Sequence, residues 1–557
     1  MRMWLLAILS GVLQVLPFPI AGPLPFWRTV FCWIAITPLL LALTGDDVSG
    51  HPLRATQGAA LGYVSGIIWY LGNCYWIYQT MHLYGAIAEP VAAGILLLFC
   101  LYLGLYHALF GALIVCFRRM NIRGENLGSQ GALLLSPFAW VAMELARARI
   151  TGFPWDLLGI TQVDDLWLTR LAPYCGAYGL SFVIASVNAL WLVRITLKKR
   201  RYTRPVLILA CVALIILYVF ILRRVQPSIH EGTQATATLL QENLEVGAMA
   251  RGAGPPLTKN EMLEAFSKLS LLFPKSATCD GIPELAGTHC IGSAIMHQSA
   301  GSDGTQSKLA TDLIVWPESP AGFYESDPEF RAAISRLAHA ATAPIIAGDI
   351  GIGMYSAEKR GYDLYNSADF IQPDGSFVGR YDKMHLVPFG EYVPFKNLFF
   401  FAGSLLQGIG EFDPGKQRTV FRTGGHAVGT FICYESVFGD EVRQYAKMGA
   451  DVLVNISDDG WYGDTSAAWE HLNMVRMRAI ENHRWVLRAT NTGITASIDP
   501  YGRVVTSAPR HIRTSLPVRF NYETDVTFYS KYGDIFAYLC ALITLAGMGL
   551  CFVRKSA

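Results

Sequence analysis

Long apolar segments fill the first part of the chain, whereas beyond residue 234 the apolar runs are short and are separated by Gly, Pro and Asp. A helix that spans a bilayer needs about 20 mostly apolar residues. Seven segments of suitable length precede residue 225, and one more follows a long polar interval. The pattern predicts an α-helical membrane bundle of eight transmembrane helices, near residues 4–20, 27–44, 57–79, 92–117, 130–146, 176–197, 205–222 and 534–553.

The interval before the last span has the pattern of a folded domain with β-strands. Short apolar runs alternate there with helical stretches, which indicates a layered α/β fold. Asp374-Gly375 and Asp499-Pro-Tyr-Gly502 are typical of hairpin turns. The Gly, Ser and Ala content of residues 274–308 indicates a loop insertion. The candidate strands and helices are Thr236–Gln241, Asp312–Trp316, Pro344–Gly348, Leu364–Ile371, Ala427–Tyr434, Asp451–Ile456, Trp485–Thr490 and Thr495–Asp499, with helices near 258–273, 327–341, 436–448 and 466–483.

Charge divides the chain at the same place. The first 222 residues hold 23 charged side chains, about one in ten, whereas the remaining 335 hold 65, about one in five. Overall only 16% of residues are charged, against about 25% in a soluble domain, so a simple cytosolic enzyme is excluded. The formal charge of +2 argues against nucleic acid as the main ligand.

Basic residues predict the orientation of the spans, because cytoplasmic connections carry an excess of Lys and Arg. With eight helices, four basic clusters fall on one side, which places both termini in the cytoplasm. Residues 1–224 then form a seven-helix membrane domain, 225–530 an external domain in the periplasm, and 531–557 a last helix with a cytoplasmic tail. Met1–Gly22 also has features of a secretory signal, but the further apolar segments favour a membrane anchor. The basic residues are Arg2, Arg118, Arg119, Arg123, Lys198, Lys199, Arg200, Arg201, Arg204, Arg554 and Lys555.

Most of the eleven cysteines lie in or beside apolar spans, where they are most simply small buried hydrophobic residues. Cys279 and Cys290 lie in the predicted insertion. They could form a disulfide in an oxidising compartment or remain two free loop thiols. No CxxC or His-rich spacing indicates a metal site, and no cofactor is predicted.

Three reactive residues stand where predicted strands end or loops begin. Glu318 follows Pro317 after an apolar strand, Lys383 and Glu391 share one loop, and Cys433 ends a strand just before the predicted helix 436–448. Taken singly, each has an ordinary explanation as a core thiol, a solvated lysine or a helix cap. Together they meet the needs of thiol chemistry.

A thiol must become a thiolate to attack a carbonyl, and its ordinary pKa is about 8.5. A helix N-terminus and a lysine ammonium would lower the pKa of Cys433. Glu318 can take the thiol proton as general base and return it to the leaving group. Lys383 can face the developing oxyanion, with a backbone N–H near Tyr434 as a second donor.

This Glu–Lys–Cys order resembles the nitrilase superfamily, whose members cleave or form carbon–nitrogen bonds through a covalent thioester. The resemblance covers about 234–510 and implies an α-β-β-α sandwich. Further matching segments are Tyr365-Asn366, residues 455–463, 469–481 and 488–495.

Seven spans before such a domain and one after it resemble the apolipoprotein N-acyltransferases. Residues 152–155 and 385–394 match that family as well. The resemblance implies a ping-pong acyltransferase at the outer face of the bacterial inner membrane. Its acyl donor would be a phospholipid, usually phosphatidylethanolamine, and its acceptor the N-terminal amine of a diacylglyceryl-cysteine apolipoprotein.

The same resemblance implies roles for single residues. Glu318 would be the general base, Lys383 the oxyanion-stabilising cation and Cys433 the nucleophile. Supporting and substrate-binding roles would fall to Glu391, Tyr434, Glu435, Asn366, Trp155 and Trp461. The sequence departs from the family in having Asp458 where Asn is frequent, Glu470 where Gln is frequent, and no Trp within 245–260.

Two other functions are compatible with parts of the pattern. A membrane-anchored amidase would use Glu318, Lys383 and Cys433 on small amides, but one span would suffice to anchor it. A transporter or lipid-binding scaffold would need ionisable residues within its spans. Glu144 and Arg194 are the main ones, and both could lie near helix ends.

Overall fold

The computed structural model describes residues 1–46, 50–122, 125–126, 128–196, 234–247, 258–271, 311–318, 321–356, 361–388, 390–392 and 412–552. Several predicted features lie outside these residues. They are the span 205–222, Cys279 and Cys290, the insertion 274–308 and the basic residues at 123, 198–204 and 554–555.

Helices make up most of the described part of the chain up to residue 196, apart from one antiparallel pair of two-residue strands, Asn121–Ile122 and Glu125–Asn126. Among all the described residues, three helical segments are long and apolar enough to cross a membrane, namely Phe26–Thr44, Glu89–Phe117 and Leu168–Val193. Two shorter apolar helices are Arg2–Val15 and Ile535–Cys551. The eight-span arrangement therefore stays a prediction. The helices are α1 (Arg2–Val15), α2 (Phe26–Thr29), α3 (Thr37–Thr44), α4 (Ala55–Asn73), α5 (Trp76–Gln79), α6 (Glu89–Phe117), α7 (Gly128–Ala146) and α8 (Ala172–Thr196).

Glycines let α4 and α6 approach each other closely. A Cβ on Gly62 would lie 2.1 Å from the carbonyl oxygen of His107, and one on Gly111 would lie 2.2 Å from that of Gly58. Small residues of this kind are frequent where helices pack in membranes, because packing rather than water exclusion holds the helices together there.

Two six-stranded sheets form the centre of the domain that follows. Their strands are β1 (Gln234–Gln241), β2 (Leu313–Val315), β3 (Ile345–Ser356), β4 (Gly361–Ile371), β5 (Phe377–Asp382), β6 (Val420–Thr423), β7 (His426–Ile432), β8 (Val452–Ser457), β9 (Val486–Thr490), β10 (Ala496–Ile498), β11 (Val504–Ser507) and β12 (Thr514–Asn521). The first sheet has the order β12-β1-β2-β3-β4-β5 and the second β11-β10-β9-β8-β7-β6. The central pairs β1–β2, β2–β3, β7–β8 and β8–β9 are parallel, and the outer pairs are antiparallel.

The sheets pack face to face and helices cover their outer faces. Leu239 and Phe370 of the first sheet share one buried cluster with Phe431 and Leu487 of the second. Helices α9 (Lys259–Leu271) and α10 (Pro328–Ala341) pack on the first sheet, and α11 (Gly439–Lys447) and α12 (Ala467–Asn482) on the second. The α-β-β-α sandwich expected from the resemblance is thus present.

The helical part and the sandwich share a buried interface. Aromatic residues from both sides, among them Trp76, Trp155, Tyr434 and Tyr462, belong to one cluster. Arg149, after α7, forms ion pairs with Asp440 at the start of α11 and with Asp534. Asp534 lies between the short helix α13 (Phe528–Tyr532) and the last helix α14 (Ile535–Phe552), so these ion pairs join three parts of the chain.

Candidate active site

Strand ends of both sheets bring the predicted reactive residues together. Glu318 follows β2, Lys383 follows β5 and Cys433 follows β7, while Asn366 lies within β4. Asp458 follows β8, which is parallel to β7. The carboxyl ends of neighbouring parallel strands lie at one edge of a sheet, which is the usual place for sites in α/β domains.

Lys383 lies between two carboxylates. Its Nζ is 3.0 Å from Oε1 of Glu318 and 3.0 Å from Oε1 of Glu391. The side-chain amide of Asn366 donates to the same two oxygens, at 2.7 and 2.6 Å, and the backbone carbonyl oxygen of Asn366 accepts the backbone N–H of Lys383 at 2.8 Å. Four residues predicted from the sequence are therefore in direct contact.

The remaining carboxylate oxygens are held by backbone N–H groups. Oε2 of Glu318 accepts from Asp458 at 2.8 Å, and Oε2 of Glu391 accepts from Val387 at 2.7 Å. Lys383 is only 1% exposed. Burial lowers the pKa of its ammonium, but Glu318 and Glu391 outweigh that effect and raise the pKa well above its ordinary value. The site thus holds a permanent buried cation.

Cys433 stands at a sharp turn directly after β7. Its φ is +48°, in the left-handed region that residues other than glycine rarely adopt. Residues Cys433–Val437 form a 3₁₀ turn, and the thiol is buried. Electrostatic interactions link this thiol with both Lys383 and Glu318.

The prediction of a lowered thiol pKa is wrong. Burial raises the pKa of Cys433 well above its ordinary value, Glu318 raises it further, and the opposing effect of Lys383 is smaller. The expected helix N-terminus is also displaced, because α11 begins only at Gly439. The resting residue is therefore a neutral thiol.

Glu435 joins the loop of Lys383 to the turn of Cys433. Its Oε1 accepts from the Tyr381 hydroxyl and the Met384 backbone, each at 2.7 Å, and its Oε2 accepts from the Ile432 backbone at 2.8 Å. One buried side chain thereby fixes the segments that carry the ammonium and the thiol.

Tyr434 and Trp155 connect the site with the helical part. The Tyr434 hydroxyl donates to the carbonyl oxygen of Gly152 at 2.8 Å, and the Trp155 ring stacks on the Tyr434 ring. Trp155 is 1% exposed, and its indole N–H donates to Glu470 at 2.7 Å.

Trp461 is 43% exposed at the same junction. Its carbonyl oxygen accepts from the Thr80 hydroxyl at 2.9 Å. Gly247 lies between Trp461 and Tyr84, and a Cβ there would be 2.9 Å from the Trp461 ring. The segment 243–247 is attached nearby, since Asn491 bonds both the N–H and the carbonyl of Leu244.

A buried polar network behind Cys433 was not predicted. It consists of four fully buried residues, Ser436, Asp459, His471 and Arg488. The last three lie in the segments 455–463, 469–481 and 488–495 that carry the superfamily resemblance. The superfamily resemblance of these segments was the one sequence signal that could have pointed to the network. The spacing of these residues along the chain does not predict that they are in contact.

Sequence profiles of two known families match the chain in succession. Residues 10–190 match the apolipoprotein N-acyltransferase N-terminal domain, and residues 269–517 match the carbon-nitrogen hydrolase family. Among solved structures, a nitrilase-superfamily amidase from Nesterenkonia AN1 aligns with 16% identity and a TM-score of 0.34, over 53% of this chain and 93% of its own.

Two relatives that match over nearly their whole length have the same name. An apolipoprotein N-acyltransferase of Geobacter metallireducens is 34% identical over 562 residues, covering 100% of this chain and 96% of the relative. Another from Methylococcus capsulatus is 31% identical, covering 100% and 97%. The chain therefore belongs to the apolipoprotein N-acyltransferase family, acyltransferases that act in lipoprotein maturation and carry a carbon-nitrogen hydrolase domain.

Proposed function

We propose that this enzyme moves a fatty acyl chain from a membrane phospholipid, typically phosphatidylethanolamine, to the N-terminal α-amine of a diacylglyceryl-cysteine lipoprotein, through a thioester on Cys433. One observation carries the proposal. The Lys383 ammonium lies 3.0 Å from both Glu318 and Glu391 and is electrostatically coupled to the buried Cys433 thiol. A base, a cation and a nucleophile are the groups that acyl transfer requires.

In the first half-reaction the sulfur of Cys433 attacks the ester carbonyl of the phospholipid. Glu318 takes the thiol proton as the new C–S bond forms. The oxyanion then faces the Lys383 ammonium. The C–O bond of the ester breaks, Glu318 returns the proton to the leaving oxygen, and a lysophospholipid departs.

In the second half-reaction the α-amine of the lipoprotein attacks the thioester. Glu318 takes a proton from the amine nitrogen, and Lys383 again stabilises the oxyanion. The C–S bond breaks, and Glu318 reprotonates the thiolate of Cys433. The products are an N-acylated lipoprotein and the free thiol, so the two substrates react in turn.

The supporting roles follow from the contacts. Glu391 orients the Lys383 ammonium and Asn366 orients Glu318, because each contacts that side chain directly, and Asn366 also holds Glu391. Glu435 and Tyr434 fix the turn of Cys433 against Lys383 and the helical part. We assign substrate-binding roles to Trp155 and Trp461, and the position of both residues at the junction with the helices supports this assignment.

We place residues 1–224 and 531–557 in the bacterial inner membrane as eight spans, with both termini cytoplasmic and residues 225–530 in the periplasm. The basic connections support this orientation. Both substrates carry lipid anchors, so a site held at the membrane surface receives them by lateral diffusion. Moving an acyl chain from lipid into protein gains little free energy, so we expect head-group contacts to set donor preference.

The direct test incubates purified enzyme with phosphatidylethanolamine vesicles in the absence of an acceptor. We expect the Cys433 peptide to gain the mass of an acyl group and to lose it when a diacylglyceryl lipopeptide is added. Cys433→Ala, which has no nucleophilic side chain at this position, should gain no acyl mass. An unmodified peptide accompanied by hydrolysis of a small amide would favour an amidase. Full lipopeptide N-acylation by Cys433→Ala would favour another nucleophile.

A further inference from the structure

The carbonyl group of Cys433 has a partner inside the protein. His471 Nε2 lies 3.0 Å from this oxygen. A carbonyl oxygen can only accept, so the ring nitrogen must donate when the bond forms. The residue that carries the thiol is thus tied, through its own backbone, to a side chain of α12.

The other ring nitrogen of His471 is held equally firmly. Nδ1 lies 2.9 Å from Oδ1 of Asp459, and Arg488 donates to Oδ2 of the same carboxylate at 2.6 Å. Burial raises the pKa of Asp459, but Arg488 and His471 outweigh it and hold that pKa well below its ordinary value. A buried carboxylate therefore fixes the imidazole plane by accepting from Nδ1–H, and the ring donates from both nitrogens, as a doubly protonated imidazole can.

A ring from the helical part covers the imidazole. The Trp155 ring stacks on His471 with centroids 5.8 Å apart and planes inclined by 24°. The neighbouring residue Glu470 accepts the Trp155 indole N–H. Two consecutive residues of α12 thus hold the loop from the helical part on one side and the Cys433 carbonyl on the other.

We infer that His471 is a positioning residue for the acylation step. Fixed by Asp459 and covered by Trp155, its Nε2–H holds the Cys433 carbonyl and keeps the residue in the left-handed conformation that presents the thiol to Glu318 and Lys383. The inference rests on the proposed role of Cys433 as nucleophile. Without this bond the backbone turn relaxes toward extended φ values, and a displacement of about 1 Å in a reacting atom costs about 100-fold in rate.

Two substitutions separate the two bonds of the imidazole. In His471→Gln the amide nitrogen reaches about as far as Nε2, so it can donate to the Cys433 carbonyl while the Asp459 contact is lost. In His471→Asn the shorter amide reaches about as far as Nδ1, so it can donate to Asp459 but not to Cys433. We expect Asn to lower the rate of Cys433 acylation by about 100-fold and Gln by about tenfold or less.

Ser436 needs a variant of its own, because its hydroxyl lies 2.6 Å from the same Nε2. Ser436→Ala leaves the Cys433 carbonyl as the partner of that nitrogen, and acylation should fall by less than about threefold. His483→Asn serves as the matched control. This residue follows α12 and contacts Asp525 rather than the site, and its φ of +50° suits asparagine.

Acylated Cys433 is measured by mass spectrometry in single turnovers at saturating phospholipid, beside lipopeptide N-acylation and the thermal midpoint of each variant. Equal loss in His471→Gln and His471→Asn at equal thermal stability overturns the inference, and so does a Ser436→Ala loss as large as that of His471→Asn. If the wild type carries no acyl group on Cys433, the proposed function fails instead. In that case, higher N-acylation by His471→Gln than by His471→Asn still tests the positioning role of His471.

Discussion

The backbone N–H of Asp458 donates to Oε2 of Glu318 at 2.8 Å, across the gap between the two sheets. The side chain of Asp458 is buried beside that bond, where it accepts from the Gly460 backbone at 3.0 Å and from the Asn491 amide. Burial and the charge of Glu318 raise the pKa of the Asp458 carboxyl to about 8. The Asp458 carboxyl is therefore largely protonated at neutral pH.

Replacement of Asp458 by asparagine should make stability less sensitive to pH. A carboxyl whose pKa rises from 3.8 to about 8 on folding stabilises the fold fully only below the lower value, and this contribution is lost as pH rises toward 8. Asparagine does not titrate. The thermal midpoint of Asp458→Asn should therefore exceed that of the wild type by an amount that grows from pH 5 to pH 8 and then levels off.

Asp374→Asn is the control for this measurement. Hydrogen bonds from Ser376 lower the pKa of Asp374, so its contribution is present above its unfolded pKa and constant between pH 5 and 8. N-acylation should survive in Asp458→Asn, because the bond to Glu318 comes from the backbone. A stability difference independent of pH would contradict the raised pKa.

Arginine should not replace Lys383. The ammonium is enclosed by Glu318, Glu391 and Asn366, and a planar guanidinium cannot occupy the same point between the two carboxylates. We expect Lys383→Arg to slow thioester formation by about 100-fold or more. Lys268→Arg, at a side chain 68% exposed on α9, should leave the rate unchanged. Near-normal acylation in Lys383→Arg would mean that positive charge alone suffices.

Alanine at Gly247 should disturb the junction near Trp461. Its Cβ would lie 2.5 Å from the Tyr84 carbonyl oxygen and 2.9 Å from the Trp461 ring, so one of these residues must move. We expect Gly247→Ala to lower N-acylation by about tenfold. Gly424→Ala isolates backbone strain, because Gly424 has a similar φ of +56° with nothing within 4 Å. Equal N-acylation in both variants would show that Trp461 and Tyr84 can move aside without any loss of activity.

Removal of the Arg149 guanidinium should loosen the sandwich from the helical part. Asp534, whose side chain is 3% exposed, would then face Asp440 without its cation. We expect Arg149→Ala to cost about 2 kcal/mol, seen as a lower thermal midpoint. Lys268→Ala removes a pair whose two side chains, Lys268 and Glu264, are 68% and 64% exposed, and a surface pair of this kind contributes about 0–1 kcal/mol. Equal effects would mean that Arg149 contributes no more than a surface charge.

Sequence predicts the inner strands of the fold well and its edges poorly. Val452–Ser457 and Val486–Thr490 are buried on both faces, so their continuous apolar runs mark them as strands. Thr514–Asn521 was missed because Pro517 and Arg519 interrupt its pattern. A proline is tolerated on an edge strand, and pairing with Gln234–Gln241 comes from the tertiary fold.

The reactive residues were predicted better than their electrostatics. Glu318, Lys383 and Glu391 follow from motif and chemistry, and the structure brings them together. The prediction of a lowered pKa for Cys433 was wrong, because the burial that raises this pKa depends on how the sheets and the helical part close over the turn. Trp155 and Glu470 lie 315 positions apart, so no local pattern predicts their contact.

The raised pKa of Cys433 also bears on how long the enzyme survives between substrates. Peroxides and other oxidants attack the thiolate far faster than the thiol. A sulfur that stays protonated and buried presents little to them. If Cys433 is the nucleophile we propose, the same burial that would oblige Glu318 to remove a proton at every turnover would also shield the sulfur from irreversible sulfinic and sulfonic damage between turnovers.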